Sequence, residues 1–154
     1  MATLADLAAR IGEGRLSDWR VITQEMVDAH AALTGDADAF HNDVEWSREH
    51  TPWKGTIVQG FLILGHFTWF LRNPAQPPLD DVEWILNYGF NRIRFVRPVV
   101  TGTPIRARIT LLEVDDRGSR AVIRHAIAIE SESQAGPHVV AEWVGSAQKK
   151  RGGA

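Results

Sequence analysis

The chain has 154 residues, 44% of them apolar and 23% charged, with a formal net charge of -2. These values suit one globular domain with a real core and leave no electrostatic footprint for nucleic acid or an anionic membrane. The absence of cysteine excludes disulfides, cysteine-ligated zinc and thiol catalysis, and fits a reducing, cytoplasmic setting.

Residues 2–11 read as a short helix that stops at Gly12-Glu13-Gly14. The opening MATLADLAARIGEGR carries Asp, Arg and Glu and has no continuous apolar run, so it does not read as a secretory signal. Trp19–Ile22 suits a first strand. Thr23 then reads as an N-cap, with Gln24 and Glu25 in the first turn, and Gly35 as the C-cap that ends the helix. Val44–His50 suits a short helix broken by Pro52. Gly55–Leu71, GTIVQGFLILGHFTWFL, is the longest uncharged run; at 17 residues with Gln59 and His66 inside it, it reads as a buried helix wrapped on most sides, not a membrane span.

Beyond the loop Asn73–Pro78 the pattern changes. Val82–Val100 is rich in aromatic and branched residues, with Arg92 and Arg94 alternating against Ile93 and Phe95. Thr103–Val114 alternates through Ile105, Ala107, Ile109 and Leu111. Turns at Asp115–Gly118 and Gln134–Pro137 bound a strand over Ala121–Glu130, and Val139–Ala147 forms the last. The expected architecture is a single α+β domain over residues 1–154, a curved antiparallel sheet around one apolar helix, with residues 149–154 a flexible tail. Such a sheet leaves its edges uncovered, and dimerisation is the simplest cure. Most of the six Trp are expected in the core or an interface.

The chemistry concentrates in LTGDADAFHND, residues 33–43, with three Asp, one His and one Asn. An EF-hand is excluded, because counting from Asp36 the sixth and twelfth positions hold His41 and Ser47. A mixed Asp/His site for another divalent ion, a solvated loop with capping Asp side chains, and an acid/base pair all remain open. Asp38 reads as solvated and Asp43 as a cap for the next helix. Asp36 follows a rigid helix end, and Phe40 should bury and draw His41 inward. A carboxylate and an imidazole converging there can hold a water and move protons, because free imidazole titrates near neutral pH.

Leu33-Thr-Gly-Asp36 with His41-Asn-Asp43, followed by Gly55-Thr-Ile-Val-Gln-Gly60-Phe-Leu, resembles the signature of MaoC-like dehydratases, the (R)-specific enoyl-CoA hydratases of the hot-dog fold. Asn87-Tyr-Gly-Phe-Asn91-Arg-Ile-Arg-Phe95-Val-Arg-Pro98-Val with Gly102 is similar to a branch related to nodulation protein N. The resemblance spans about Ile22 to Trp143. It implies a hot-dog domain, a homodimer, and addition of water to a trans-2-enoyl thioester or the reverse, with no metal and no cofactor beyond the coenzyme A of the substrate. It implies that Asp36 and His41 hold the water and form the acid/base pair, and that the Gly60 backbone N–H binds the thioester oxygen. The family commonly has His where this chain has Gln59, and Asn-Pro where it has Ala39-Phe40. Both departures bear on the pocket. Thr68 stands about where some relatives carry a pocket Ser. Asn87 is a candidate pocket donor, and Arg92, Arg94 and Arg97 are candidates for the coenzyme A phosphates against a solvated strand face. His66 reads as a satisfied core group, and His125 and His138 as strand or turn surface. A hot-dog thioesterase and a non-catalytic acyl-binding module are the alternative functions.

Overall fold

The alternation of Ile105, Ala107, Ile109 and Leu111 sets the inner face of a curved sheet in the structure, a computed structural model describing residues 2–150. Each of these side chains is buried, as period-two patterning requires when one face of a sheet meets a core. Their strand, β4 (Pro104–Asp116), pairs antiparallel with β5 (Arg120–Ser131), Ile109 opposite Ile127 and Ala107 opposite Ile129. The hairpin turns through Gly118, whose φ of 82° is left-handed. β5 pairs with β6 (Val139–Lys149), and β6 with β3 (Val82–Phe95). Short strands β1 (Gly14–Leu16) and β2 (Arg20–Val21) pair with β4, so the sheet runs β1-β4-β5-β6-β3 and β3 has a free edge.

Helix α1 (Leu4–Ala8) ends before the expected position, closed at its start by a capping box between Thr3 and Asp6. α2 (Gln24–Thr34) starts from the Thr23 cap and stops at Gly35, φ 79°. α3 (Ala39–Asn42) is one turn that the sequence did not announce, since four residues show no period. α4 (Val44–His50) follows the Asp43 cap, whose Oδ1 accepts from the Trp46 N–H at 2.9 Å.

The apolar run does not become helical until Gly60. Thr56-Ile57-Val58 are β-branched and extended instead; Ile57 bridges Val100 and the Val58 N–H donates to the Val99 carbonyl. α5 (Gly60–Gly65) and α6 (Phe67–Arg72) then follow with an irregular turn at His66, whose N–H is shared between the Leu62 and Ile63 carbonyls. Ile63, Phe67 and Phe70 form the buried stripe at helical spacing. Phe67 meets Phe90 and Trp143 edge-on, each at a centroid distance of 6.0 Å. Burial of each such side chain contributes about 2 kcal/mol. The wrapping is one-sided: Phe61 is 71% exposed.

The tryptophans divide between core and surface. Trp143 is buried, but Trp19, Trp46, Trp53 and Trp84 stay exposed in the single chain. Among the described residues no helix is long and apolar enough to cross a membrane. At the expected tail, Lys149 ends β6 with its Nζ on Asp116 at 2.7 Å, and the Lys150 N–H donates to the Asp81 carbonyl. Residues 151–154 lie outside the described residues.

Candidate active site

Three segments meet at the N-terminal end of α5. The Gly35 cap turns the chain so that Asp36 leaves α2 toward it, and the single turn of α3 brings Phe40 and His41 back. The extended link before α5 closes the third side: the Ile57 N–H donates to the Phe40 carbonyl at 2.9 Å. His41 is buried, with Nδ1 2.6 Å from the Ile57 carbonyl. A ring nitrogen facing a carbonyl must carry the proton, so in the neutral ring the lone pair is on Nε2. That lone pair faces the Asp36 carboxylate at 3.9 Å, too long for a direct hydrogen bond. The gap suits a water bonded to both groups at about 2.8 Å each. His41 is 8% exposed at its side chain and Asp36 39%, so the pair has a dry base and a wet mouth.

Gln59 is fully buried beside them. Its Nε2 donates to the carbonyls of Val27, at 3.1 Å, and Asp36, at 3.2 Å, while its Oε1 has no partner among the described residues. Here the side chain ties α2 and the Asp36 backbone to the residue that precedes Gly60. Gly60 opens α5, and its N–H has no acceptor among the described residues. A Cβ on Gly60 would lie 2.8 Å from Cε1 of Phe95, so the glycine also admits that ring.

Two contributors escaped sequence reasoning. The Ile57 carbonyl fixes the His41 tautomer. Gln24, seen only as a first-turn helix residue, donates from Nε2 to the His41 carbonyl at 2.9 Å and accepts from Thr56 Oγ1 at 2.6 Å. No sequence pattern marks a backbone acceptor, and a polar first-turn residue carries too little signal.

The other candidates lie apart. Thr68 and Asn87 line a cavity of about 350 Å³ farther along the helix, one that Asp36, His41 and Gly60 do not line. Arg94 is exposed on β3, its Nη1 on the Ile93 carbonyl at 2.7 Å. Arg97 bonds the Ala135 carbonyl. His66 Nδ1 meets the Leu62 carbonyl at 2.8 Å, the satisfied group expected. His125 and His138 are corrected. His138 is buried between Ser131 Oγ and the Pro98 carbonyl, and His125 faces inward opposite Leu111. Apolar residues on both faces of β5 hid that inward side. Among the described residues no cluster of three or more metal-ligating side chains occurs.

The family model for the MaoC like domain matches residues 6–132. The chain belongs to the MaoC-like dehydratases, a family of hydro-lyases. It is 37% identical over 148 residues to the 3-hydroxyacyl-thioester dehydratase Z of Mycobacterium tuberculosis, covering 92% of this chain and 93% of that one. It is 34% identical over 145 residues to nodulation protein N of Rhizobium leguminosarum bv. viciae, covering 92% and 89%. The unliganded R-hydratase PhaJ1 of Pseudomonas aeruginosa shares the fold, with a TM-score of 0.73 at 21% identity over 96% of this chain and 86% of that one. The hot-dog architecture expected from the sequence is therefore the fold of this MaoC-like chain.

Proposed function

We propose that the protein hydrates a trans-2-enoyl-CoA to the (R)-3-hydroxyacyl-CoA, or runs the reverse dehydration. One observation carries this: a buried imidazole with its Nδ1 proton fixed on Ile57 turns Nε2 toward Asp36 across a gap that fits one water. In this reading the water between them gives up a proton to the pair and its oxygen adds at Cβ. Negative charge then builds on the thioester oxygen, which the Gly60 N–H stabilises. The pair returns a proton to Cα, so one water is added and nothing is oxidised. An oriented backbone donor at such an oxyanion is worth about 3–4 kcal/mol, and a positioned proton-transfer group about a hundredfold to ten-thousandfold in rate. Gln59 braces the Asp36 backbone against Gly60 and leaves the proton transfer to Asp36 and His41. The relative from Mycobacterium tuberculosis, named for a 3-hydroxyacyl-thioester, supports the thioester substrate.

The same reading includes a homodimer. β3 is a free edge of 14 residues carrying Trp84, Ile85, Leu86 and Tyr88, all exposed. A long apolar edge strand is a template for pairing with a second chain. Phe61, Phe90 and Phe95 extend this exposed surface toward the start of α5. Light scattering at micromolar concentration checks it: a monomer excludes this part of the proposal.

The activity test is incubation with crotonyl-CoA and trans-2-dodecenoyl-CoA, following loss of the conjugated double bond and product chirality. Formation of the (R)-alcohol is expected. Release of free coenzyme A without hydration would instead mark a thioesterase, and binding without turnover an acyl-binding module.

A further inference from the structure

The other end of the helix has its own constellation. A cavity of about 630 Å³ there is lined by Leu71, Leu79, Ile109, Leu111, Arg15 and His125. The smaller cavity that begins at Thr68 and Trp143 shares Leu71, Arg72, Ile85, Ile123 and His125 with it, so the two adjoin, and together they outline a largely apolar passage. Thr68 and Leu71 lie on α6, which follows α5 beyond the irregular turn at His66. The passage thus leads away from the Asp36–His41 corner.

Its far end is polar without being satisfied. His125 points in from β5, and neither ring nitrogen has a hydrogen-bond partner among the described residues. Arg15 stands close enough to act on it electrostatically. The Arg15 guanidinium lines this chamber and donates from Nη2 to the Leu71 carbonyl, while Nη1, closed off from solvent, has no partner among the described residues. Among the described residues no carboxylate pairs with it. Asp6 is occupied by the Thr3 backbone and hydroxyl, and Glu13 by Arg10. Arg72 and Glu83, of opposite sign, also line the cavity, both exposed to solvent. A partly buried cation that lines a largely apolar chamber is complementary to an anion on an apolar chain.

We propose that this passage takes an aliphatic chain ending in a carboxylate, with the carboxylate on the Arg15 guanidinium beside the His125 ring. The chain has two possible sources: the far end of the acyl thioester itself, which rests on the hydratase reading and specifies its substrate, or a free fatty carboxylate that enters separately.

The experiment compares trans-2-dodecenoyl-CoA with the mono-CoA thioester of trans-2-dodecenedioic acid on the full chain. The expected result is a kcat/KM ratio favouring the diacid by about tenfold or more, an effect of about 1.4 kcal/mol. Arg15→Gln should bring that ratio to one or below, and Arg15→Lys should keep part of it. A ratio within one variant is insensitive to a general loss of folded protein. Calorimetry with dodecanoate, wild type against Arg15→Gln, is the second arm and needs no turnover. Dodecanoate binding that Arg15→Gln abolishes, with no preference for the diacid thioester, supports the site and assigns it to a free carboxylate. No diacid preference and no Arg15-dependent dodecanoate binding overturns the proposal. Absence of any enoyl-CoA turnover counts against the hydratase reading alone, since the calorimetric arm still reads the site.

Discussion

At the start of α5, His41 has one ring nitrogen on a backbone carbonyl and the other facing a carboxylate 3.9 Å away. In the cavity lined by Leu71 and Arg72, His125 has no hydrogen-bond partner among the described residues, and a cation, Arg15, acts on it. Burial and that guanidinium hold the His125 pKa down to about 4. Both imidazoles are largely withdrawn from solvent in the same domain, yet the first is oriented and paired while the second is kept neutral and uncommitted. Burial alone therefore does not make a histidine chemical. What distinguishes His41 for the proposed reaction is a ring held on a backbone carbonyl and an acid across a gap that suits one water.

The largest expected effect breaks the first of these sites. Asp36→Asn and His41→Ala should each lower kcat for enoyl-CoA hydration by about a hundredfold to ten-thousandfold. Circular dichroism should show the fold retained in Asp36→Asn, because Asp36 lies at the wet mouth and its side chain makes no hydrogen bond among the described residues. Near-normal rates in both variants would remove the pair from the mechanism. Next comes Gln59→Glu, which tests the brace. A carboxylate there would face the Val27 and Asp36 carbonyls with no cation nearby, so it should cost about 3 kcal/mol of stability in urea unfolding. An unchanged midpoint would mean that the side chain has another environment.

His125 sharpens the contrast through pH. Its folded pKa of about 4 lies below the ordinary value of 6.5, so the unfolded chain binds the extra proton between those limits. This contribution is fully present above about pH 6.5 and is lost as pH falls toward about 4. It amounts to at most about 3 kcal/mol over the whole window, and to about 2 kcal/mol between about pH 7 and pH 5. Urea unfolding at those two pH values should show a smaller loss in His125→Asn than in wild type. Equal losses would place the ring in solvent.

Much of this was legible in the residues, for physical reasons. Period-two alternation in β4 marks an inner face because only one side of that strand is buried. Thr23, Gly35 and Asp43 marked helix ends because caps use side-chain and backbone chemistry that only a few residue types supply. The MaoC-like segments at Asp36–Asp43 and Gly55–Leu62 pointed to the fold that the family match bears out. What stayed hidden depended on contacts between distant segments. β1 and α3 are too short to show a period and exist because β4 and the α2–α4 connection hold them. The Ile57 carbonyl and the Gln24 clamp carry no side-chain signature of their role. The inward turn of His125 was masked because β5 has apolar residues on both faces.

Asp43 provides the smallest effect and the sharpest division within the acidic stretch. It lies two residues beyond His41, and its Oδ1 caps α4 through the Trp46 N–H at 2.9 Å. The carboxylate that faces His41 is that of Asp36, not of Asp43. Asp43→Ala should therefore cost about 1 kcal/mol of stability, as loss of an N-cap does, and leave kcat within about twofold of wild type, a change worth less than about 0.5 kcal/mol in the barrier. Asp36→Asn should do the reverse, with little change in the unfolding midpoint and a large fall in rate. The two carboxylates are seven residues apart in one loop, so a shared response would show that the loop acts as one structural unit. Opposite responses would separate the acid that orients water from the acid that ends a helix.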